Sequence, residues 1–323
     1  MDFRLCTNDP GDAALARDQH GSGVGAMIGS PSSKRVLVGT DGSVIARHAV
    51  EWAAAEAARR GAELTIVHVR PGSDLDAPRL PALPADTDIA FARCLAWLNE
   101  AVASAVQAAP GVEVNTALVR GDVTQTLIAA SQHAELVVLG ARNPNRITGL
   151  LPGALTVSLI AHGHCPVAVV RWAAPRTRPP IRGPVVLGVD GAHAEAAIEF
   201  AFDSAARRST SLVVVHAWSR CLLNSRWHNT VENSATEVVD EVIRTVLTDR
   251  LACWQDKYPD TLVRMVTLQD KAVRSLVEQS RQAQLVVIGS RGRGGFSGLL
   301  LGSTSQAMLH RCACPVVVAR APR

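Results

Sequence analysis

The sequence contains few aromatic residues, few lysines and no long apolar run. Aromatic residues make up 4% of the 323 residues, and three lysines stand beside thirty arginines. The net charge of +4 is small for this length, and aromatics are not interleaved with the basic residues, which argues against a nucleic-acid partner. No run reaches the roughly eighteen apolar residues of a membrane span, and the first 26 residues lack the apolar centre of a signal peptide. We therefore expect a cytoplasmic chain without a membrane partner.

Familiar catalytic signatures are also missing. The sequence has no Gly-x-Ser-x-Gly elbow, no His-Glu-x-x-His pair and no Gly-Lys-Ser/Thr phosphate loop. Because phosphoryl-transfer enzymes place strong positive charge on the leaving phosphates, the lack of a loop lysine argues against efficient transfer. The seven cysteines, an odd number in a chain expected in the cytoplasm, favour reduced thiols over a disulfide framework.

The sequence does contain two copies of one domain. A shift of 149 residues superimposes four short motifs of the two copies. These pairs are Asp41-Gly42 with Asp190-Gly191, Gly140 with Gly289, Gly153 with Gly302, and Cys165-Pro166 with Cys314-Pro315. The period is far longer than that of solenoid repeats, so each copy should be a domain with its own core. We predict a flexible tail at 1–33, a first domain at 34–172, a linker at 173–183 and a second domain at 184–323.

Each copy alternates short apolar strands with helical segments. In the first copy, a strand at 35–39 precedes Ser43, which can cap the following helix. The proline-rich segment 71–84 predicts a long loop before a helix at 91–108. Near-continuous apolar strands that alternate with helices predict a parallel sheet covered on both faces.

A glycine-rich loop follows the fourth strand of the second copy. The strand at 285–288 leads into Gly289-Ser290-Arg291-Gly292 and, further on, into Gly302-Ser303, where a helix is predicted to begin. Backbone N–H groups approach an anion closely where side chains are absent, and a helix start adds the positive end of its dipole. Asp190 ends the first strand of this copy, so it converges with Gly289 on one crevice if the two strands are neighbours.

The spacing Gly289-x2-Gly292-x9-Gly302-Ser303, with Asp190 and a final Cys-Pro-Val-Val-Val strand, resembles the ATP-binding universal stress protein family. The tandem copies resemble its actinobacterial two-domain members. This resemblance implies two tandem doubly wound α/β domains, each with an open five-stranded parallel sheet of order 3-2-1-4-5. It implies ATP with Mg²⁺ as the ligand rather than metabolic catalysis. It also implies that the domains pair through their last strands and that the chain forms a homodimer.

The resemblance puts the ligand-binding residues mainly in the second copy. It implies that adenine and ribose lie near Val189, Asp190 and the backbone of Ala217. It implies that the phosphates lie on Gly289, Gly292, Gly302, Ser303 and Thr304. Asp190 would accept hydrogen bonds from ribose hydroxyls or hold a metal-bound water, and Ser303 would donate to a phosphate oxygen. The alternative for Asp190 is a turn residue that caps the next helix, and Arg291 and Arg293 either screen phosphate charge or face water.

The first copy departs from the motif at two positions. Asn143 stands where Gly292 is expected, and Ala154 replaces the hydroxyl of Ser303. We therefore predict that the second copy is the better ATP site. The first copy would bind weakly, or only through its nucleoside end. The residues that remain for this weaker site are Asp41, Val69, Gly140 and Gly153.

Histidines and cysteines cluster before the last strand of each copy. The clusters are His162-Gly163-His164-Cys165 and His310-Arg311-Cys312-Ala313-Cys314. The histidines do not align between the copies and no second ligand pair has zinc spacing, so we favour a helix end followed by a buried cysteine over a metal site. We expect no direct metal ligand in this chain.

Three functions remain open at this point. The favoured one is an ATP-binding stress-response or dormancy regulator with little or no turnover and an unknown protein partner. The alternatives are a slow ATPase or adenine-nucleotide hydrolase, and a nucleotide-independent interaction protein.

Overall fold

A computed structural model describes residues 34–70, 84–141, 153–171, 182–190, 194–218, 233–269, 272–290 and 301–320, without the side chains of 84–88 and 233–237. These residues divide into two compact units. Unit 1 contains the described residues from 34 to 171, and unit 2 contains those from 182 to 320.

Unit 1 alternates five strands and four α-helices, as the sequence predicts. The elements are β1 (Arg35–Gly39), α1 (Val44–Arg60), β2 (Glu63–Arg70), α2 (Pro84–Ala108), β3 (Val114–Arg120), α3 (Val123–Ala130), β4 (Leu136–Gly140), α4 (Ala154–His162) and β5 (Val167–Val170). A 3₁₀ turn at Ser131–His133 continues α3.

Unit 2 repeats the same order of elements. They are β6 (Val185–Val189), α5 (Glu195–Arg207), β7 (Leu212–Trp218), α6 (Asn233–Lys257), β8 (Val263–Gln269), α7 (Ala272–Ser280), β9 (Leu285–Gly289), α8 (Ser303–Arg311) and β10 (Val316–Ala319).

The strands of each unit form a parallel sheet. Unit 1 has the order β3-β2-β1-β4-β5, and unit 2 has the order β8-β7-β6-β9-β10. Every described pairing within these two series is parallel. The predicted order 3-2-1-4-5 is therefore confirmed. In both units the strand order reverses beside the first strand, which is where doubly wound sheets bind ligands.

The central strands β1 and β9 are buried up to their last residue, a half-buried glycine in each. Val36, Leu37 and Val38 of β1 have no exposed surface, and neither do Leu285 and Val286 of β9. Such runs, apolar on both faces, are typical of parallel strands that are covered by helices on both sides. The continuous valine and leucine runs of the sequence are thus explained by this double cover.

Helix α1 begins and ends at residues suited to those positions. The Ala46 N–H donates to Ser43 Oγ at 3.2 Å, so the predicted cap is confirmed. At the other end, Gly61 adopts φ 59°, a left-handed conformation that glycine adopts without steric cost. These two residues set the limits of the helix.

Helix α2 begins earlier than predicted. Its first residue is Pro84, whereas the sequence indicated a start near residue 91. Proline is tolerated in the first helical turn because an N–H at that position has no partner within the helix. Residues 89–108 of α2 are also long and apolar enough to cross a membrane by length and composition alone. In unit 1, this helix buries Leu98 and Ala105 and packs against α1, β2 and β3.

Candidate functional site

In unit 2, the ends of β6 and β9 meet at the carboxyl edge of the sheet. The register pairs Gly188 with Ile288, which brings the following residues, Val189 and Gly289, to the same edge. Val189 is buried and Asp190 is exposed. The condition for a shared crevice, that the two strands are neighbours, is met.

Backbone hydrogen bonds tie the two ends of the glycine-rich loop together. The Gly302 N–H donates to the carbonyl of Ser290 at 3.1 Å, and the Ser290 N–H donates to the carbonyl of Ala319 at 3.1 Å. Ser305 Oγ donates to the carbonyl of Gly289 at 2.8 Å. The start of α8 is therefore held against the end of β9. The predicted phosphate ligand Gly292 lies outside the described residues, as do Arg291 and Arg293.

Helix α8 begins at this edge with an exposed hydroxyl. Gly302 precedes the helix without a side-chain cap among the described residues, and Ser303 is the first helical residue. The first hydrogen bond of the helical pattern runs from the Gln306 N–H to the carbonyl of Gly302. The N–H groups of Ser303, Thr304 and Ser305 therefore have no acceptor within the helical pattern, as an anion site requires. By contrast, α3 begins with the Asp122 side chain accepting from the Gln125 N–H.

In each unit, a buried histidine contacts the peptide that precedes the aspartate predicted to bind the ligand. His216 Nδ1 lies 2.9 Å from the carbonyl oxygen of Val189, and His68 Nδ1 lies 2.8 Å from that of Thr40. Since a carbonyl only accepts, Nδ1 carries the proton in both rings. Both side chains are buried. Sequence reasoning missed this pair, although aligning β2 with β7 by a shift of 148 matches the two histidines.

In unit 1, the carboxylate of Asp41 serves its own turn. The Ser43 N–H donates to Asp41 Oδ1 at 3.0 Å, and the Gly42 N–H donates to Thr40 Oγ1 at 3.3 Å. Gly42 has φ 75°, so a glycine suits the turn. Asp41 thus has the role of a turn residue, which is the alternative that the sequence analysis gives for Asp190. Residues 191–193 lie outside the described residues, so the role of Asp190 stays a prediction.

A tryptophan of α2 covers the same turn of unit 1. A Cβ atom at Gly42 would overlap the Trp97 indole, so the ring lies directly against the backbone. The Trp97 and His68 rings make an edge contact with centroids 5.5 Å apart, and the Arg93 guanidinium lies 5.1 Å from the Trp97 ring. The matched position in α6 is Val246, which is 60% exposed. No sequence pattern pointed to this contact.

Unit 2 has its own tryptophan at the end of β7. Trp218 Nε1 donates to Asp240 Oδ1 at 2.7 Å, and the indole is buried. This bond ties the strand end that contains Ala217 to helix α6. The corresponding strand end of unit 1, beside Val69, has Arg70 in this place. The strand ends where the sequence predicts the nucleoside are therefore built from different side chains in the two units.

The glycines of unit 1 are not equivalent to each other. A Cβ at Gly140 would lie 2.9 Å from the carbonyl oxygen of Ile45, whereas a Cβ at Gly153 would meet no atom of the described residues within 4 Å. Among the described residues of unit 1, no backbone bond joins Gly153 to Ala141 as Gly302 is joined to Ser290. Gly140 is therefore required by packing, while Gly153 is not.

The segments before β5 and β10 are anchored alike. The His164 N–H donates to Ser131 Oγ at 2.9 Å, and the Ala313 N–H donates to Ser280 Oγ at 3.0 Å. Across the described ranges, no group of three or more His, Cys, Asp and Glu side chains could hold a metal ion. The described cysteines are free thiols, and burial raises the pKa of Cys165 to about 12.

Comparison with known proteins gives matches along nearly the whole chain. A model of the universal stress protein family matches residues 32–171 and 182–320. Universal stress protein Rv2623 of Mycobacterium tuberculosis is 37% identical over 298 residues, which cover 91% of this chain and 99% of that protein. Universal stress protein Rv1996 of the same organism is 36% identical over 321 residues, which cover 92% of this chain and 98% of that protein.

A solved structure supports the fold. The crystal structure of a universal stress protein from Archaeoglobus fulgidus superimposes with a TM-score of 0.64 at 18% identity. The superposition covers 90% of this chain and 99% of that one. At this level of identity, the similarity concerns the fold alone.

Proposed function

The chain belongs to the universal stress protein family, with two family domains in tandem, and on that premise we propose that it binds ATP in unit 2 and acts as a nucleotide-dependent regulator of stress response or dormancy. The observation that carries the proposal is the convergence of the end of β6, the end of β9 and the start of α8 at one edge. This arrangement supplies a carboxylate for a sugar and N–H donors for phosphates.

The nucleoside would lie over Val189, Asp190 and Ala217. Asp190 is exposed directly after a buried strand, so its carboxylate is accessible to ribose hydroxyls. The hydrogen bond from His216 to the Val189 carbonyl holds the peptide that precedes it. A fixed backbone at this point would orient the Asp190 side chain before the ligand binds.

The phosphates would lie at Gly289, Gly292, Gly302, Ser303 and Thr304. Backbone N–H groups at a helix start and the Ser303 hydroxyl are donors, which fits an anionic group. Mg²⁺ would enter with ATP, because this ion keeps several waters and binds through one or two carboxylates plus phosphates. Asp190 contributes a carboxylate at this edge, and it would hold a metal-bound water.

Little or no turnover is part of the proposal. The loop 289–303 contains no lysine, so the charge that normally stabilises a leaving phosphate has to come from arginines or the metal. A site that binds ATP without efficient hydrolysis suits a protein whose nucleotide state alters its conformation or partners.

Unit 1 would be the weaker site. Its residues Asp41, Val69, Gly140 and Gly153 keep the outline of the motif, but the Asp41 carboxylate already accepts from its own turn. Trp97 lies against Gly42 in the same region, and Ala154 provides no hydroxyl. These contacts favour an asymmetric chain with about one tight ATP site.

The proposal also includes a cytoplasmic location and a homodimer. The buried Leu98 and Ala105 of helix α2, the helix whose residues 89–108 are long and apolar enough to cross a membrane, support a role for this helix in the core of unit 1. The pairing of the two domains through their last strands, the protein partner and the domain boundaries predicted from sequence stay predictions.

The test starts with the purified full chain. Chromatography of whatever leaves the denatured protein should identify ATP, and titration should give about one tight site with negligible hydrolysis. Two equal sites per chain would contradict the asymmetry. Turnover that Asp190→Ala abolishes would favour the hydrolase. If the protein carries no bound nucleotide and ATP causes no thermal shift, the result would favour the interaction protein.

A further inference from the structure

Two buried thiols face each other between α8 and β10. The Sγ atoms of Cys312 and Cys314 lie 3.8 Å apart. Cys312 is 7% exposed and Cys314 is fully buried. Two sulfurs at this separation are in direct contact, with no atom between them.

We propose that Cys312 and Cys314 form an oxidisable dithiol, which closes to a reversible intramolecular disulfide when the protein meets a peroxide. Cys312, the more exposed thiol, attacks one peroxide oxygen as its thiolate and becomes a sulfenic acid, while the other oxygen leaves as hydroxide. The Cys314 thiol then attacks the Cys312 sulfur and passes its proton to the sulfenic hydroxyl, which leaves as water. In balance, two thiols and one hydrogen peroxide give one disulfide and two waters.

The geometry is within reach of this bond. A disulfide has an S–S length of about 2.05 Å, so the two sulfurs have to approach by about 1.8 Å. Cys312 has an extended backbone with φ −63° and ψ 139°, and the chain bends at the two following residues. Rotation of the two side chains within this bend can supply the approach, because the sulfurs are already in contact.

Unit 1 provides the matched comparison for a single thiol. Cys165 occupies the position of Cys314, but Gly163 stands at the position of Cys312. A Cβ at Gly163 would overlap the carbonyl of Leu159, so unit 1 has no room there for a second thiol. The dithiol is therefore a property of unit 2.

Burial favours the protonated form of the Cys165 and Cys314 thiols. It raises the pKa of Cys165 to about 12 and that of Cys314 well above its usual range. Thiols that stay protonated react slowly with oxidants. Cys314 thus differs from Cys165 in having an adjacent sulfur, that of Cys312, with which it can form a disulfide once Cys312 is oxidised.

The experiment uses the reduced full chain in a Cys253→Ser background, because Cys253 is exposed and would exchange disulfides between molecules. The protein is treated with hydrogen peroxide, denatured, alkylated with N-ethylmaleimide and digested with trypsin. Cleavage after Arg311 and Arg320 releases one peptide, 312–320, that contains both cysteines of the pair. The peptide 147–171 reports Cys165 in the same sample.

We expect the peptide 312–320 to lose two hydrogen atoms and to escape alkylation, and a dithiol reductant should reverse both effects. The disulfide form should rise about tenfold over the untreated sample, while the Cys165 peptide changes less than about twofold. Cys312→Ser should leave Cys314 alkylated to the same extent as Cys165.

Three outcomes would overturn the inference. Both thiols could remain alkylated after peroxide, or the oxidised peptide could be linked only to a second chain. The pair could also be protected without loss of mass and released by a chelator, which would indicate a bound soft metal instead. None of these outcomes depends on nucleotide, so this experiment tests the dithiol separately from the proposal that the chain binds ATP.

Discussion

Unit 1 and unit 2 share a histidine bond at the end of the first strand and a serine bond before the last strand, but they differ in the side chains beside the predicted ligand. His68 and His216 make the same bond to the end of the first strand, at 2.8 and 2.9 Å. In contrast, Trp97 of unit 1 is matched by the exposed Val246 of unit 2. The duplicated domain therefore retains the contacts that hold the strand ends, while the side chains around the crevice have diverged.

The units also differ inside their cores. Glu56 of α1 is fully buried, and Arg60 Nε donates to it at 2.7 Å. Ala205 is the matched residue of α5, and it is buried without any charge. Unit 1 thus depends on a buried ion pair at a position where unit 2 needs only a methyl group.

The largest effect should come from breaking this ion pair. Glu56→Ala removes the carboxylate that the buried Arg60 contacts, and we expect unit 1 to lose about 3–5 kcal/mol of its free energy of unfolding. Denaturant unfolding measures the loss, with exposed Glu199→Ala in unit 2 as the control that stays within about 0.5 kcal/mol. A loss no greater than that of the control would mean that Arg60 does not depend on Glu56.

The second comparison concerns the two aspartates. Asp190→Ala should weaken ATP binding about tenfold to a hundredfold, because hydrogen bonds to a charged group contribute about 1.5–3 kcal/mol. Asp41→Ala should leave the tight ATP affinity within about twofold, since its carboxylate accepts from the Ser43 N–H. Isothermal titration distinguishes the two. Equal losses in both variants would remove the basis for the asymmetry.

Gly140 and Gly153 of unit 1 offer a test of packing. Gly140→Ala puts a methyl group 2.9 Å from the carbonyl oxygen of Ile45, and we expect a stability loss of about 1–2 kcal/mol. Gly153→Ala contacts no atom of the part of the chain that the structure describes, so its effect should stay within about 0.5 kcal/mol. Thermal or denaturant unfolding of both variants gives the comparison, and a larger loss at Gly153 would contradict it.

The smallest effect should come from the hydroxyl at the helix start. Ser303→Ala removes one neutral donor to a phosphate, so ATP affinity should fall about threefold to tenfold. Ala154→Ser restores the hydroxyl in unit 1, but it should not create a second tight site while Asp41 and Trp97 keep their contacts. A second equivalent of tightly bound ATP in this variant would show that the hydroxyl alone separates the units.

Much of the fold followed from local patterns. Ser43 was predicted as a cap because a serine precedes the apolar period of α1, and this bond is local. The start of α2 at Pro84 was missed, because proline marks a loop in most contexts and is compatible with a helix only in its first turn. Element type could thus be predicted well, and element ends less well.

The site could be predicted only in part. The ends of β6 and β9 were expected to converge because parallel strands present their carboxyl ends at one edge, and the register confirms that they are neighbours. The histidine bonds join residues 28 and 27 positions apart, and the Trp97 contact spans 55 positions. No local pattern encodes such approaches, because they depend on how helices settle on the sheet.

The sequence by itself determined the duplication, the alternation of strands and helices, and the loss of glycine and hydroxyl in the first copy. These features depend on residue identity and short spacing, which backbone sterics and burial translate directly into local structure. Only the tertiary structure decided that Trp97 lies against Gly42, that His216 supports the peptide before Asp190, and that Cys312 and Cys314 touch. Those contacts come from close packing in three dimensions, where one side chain fills the space that another leaves.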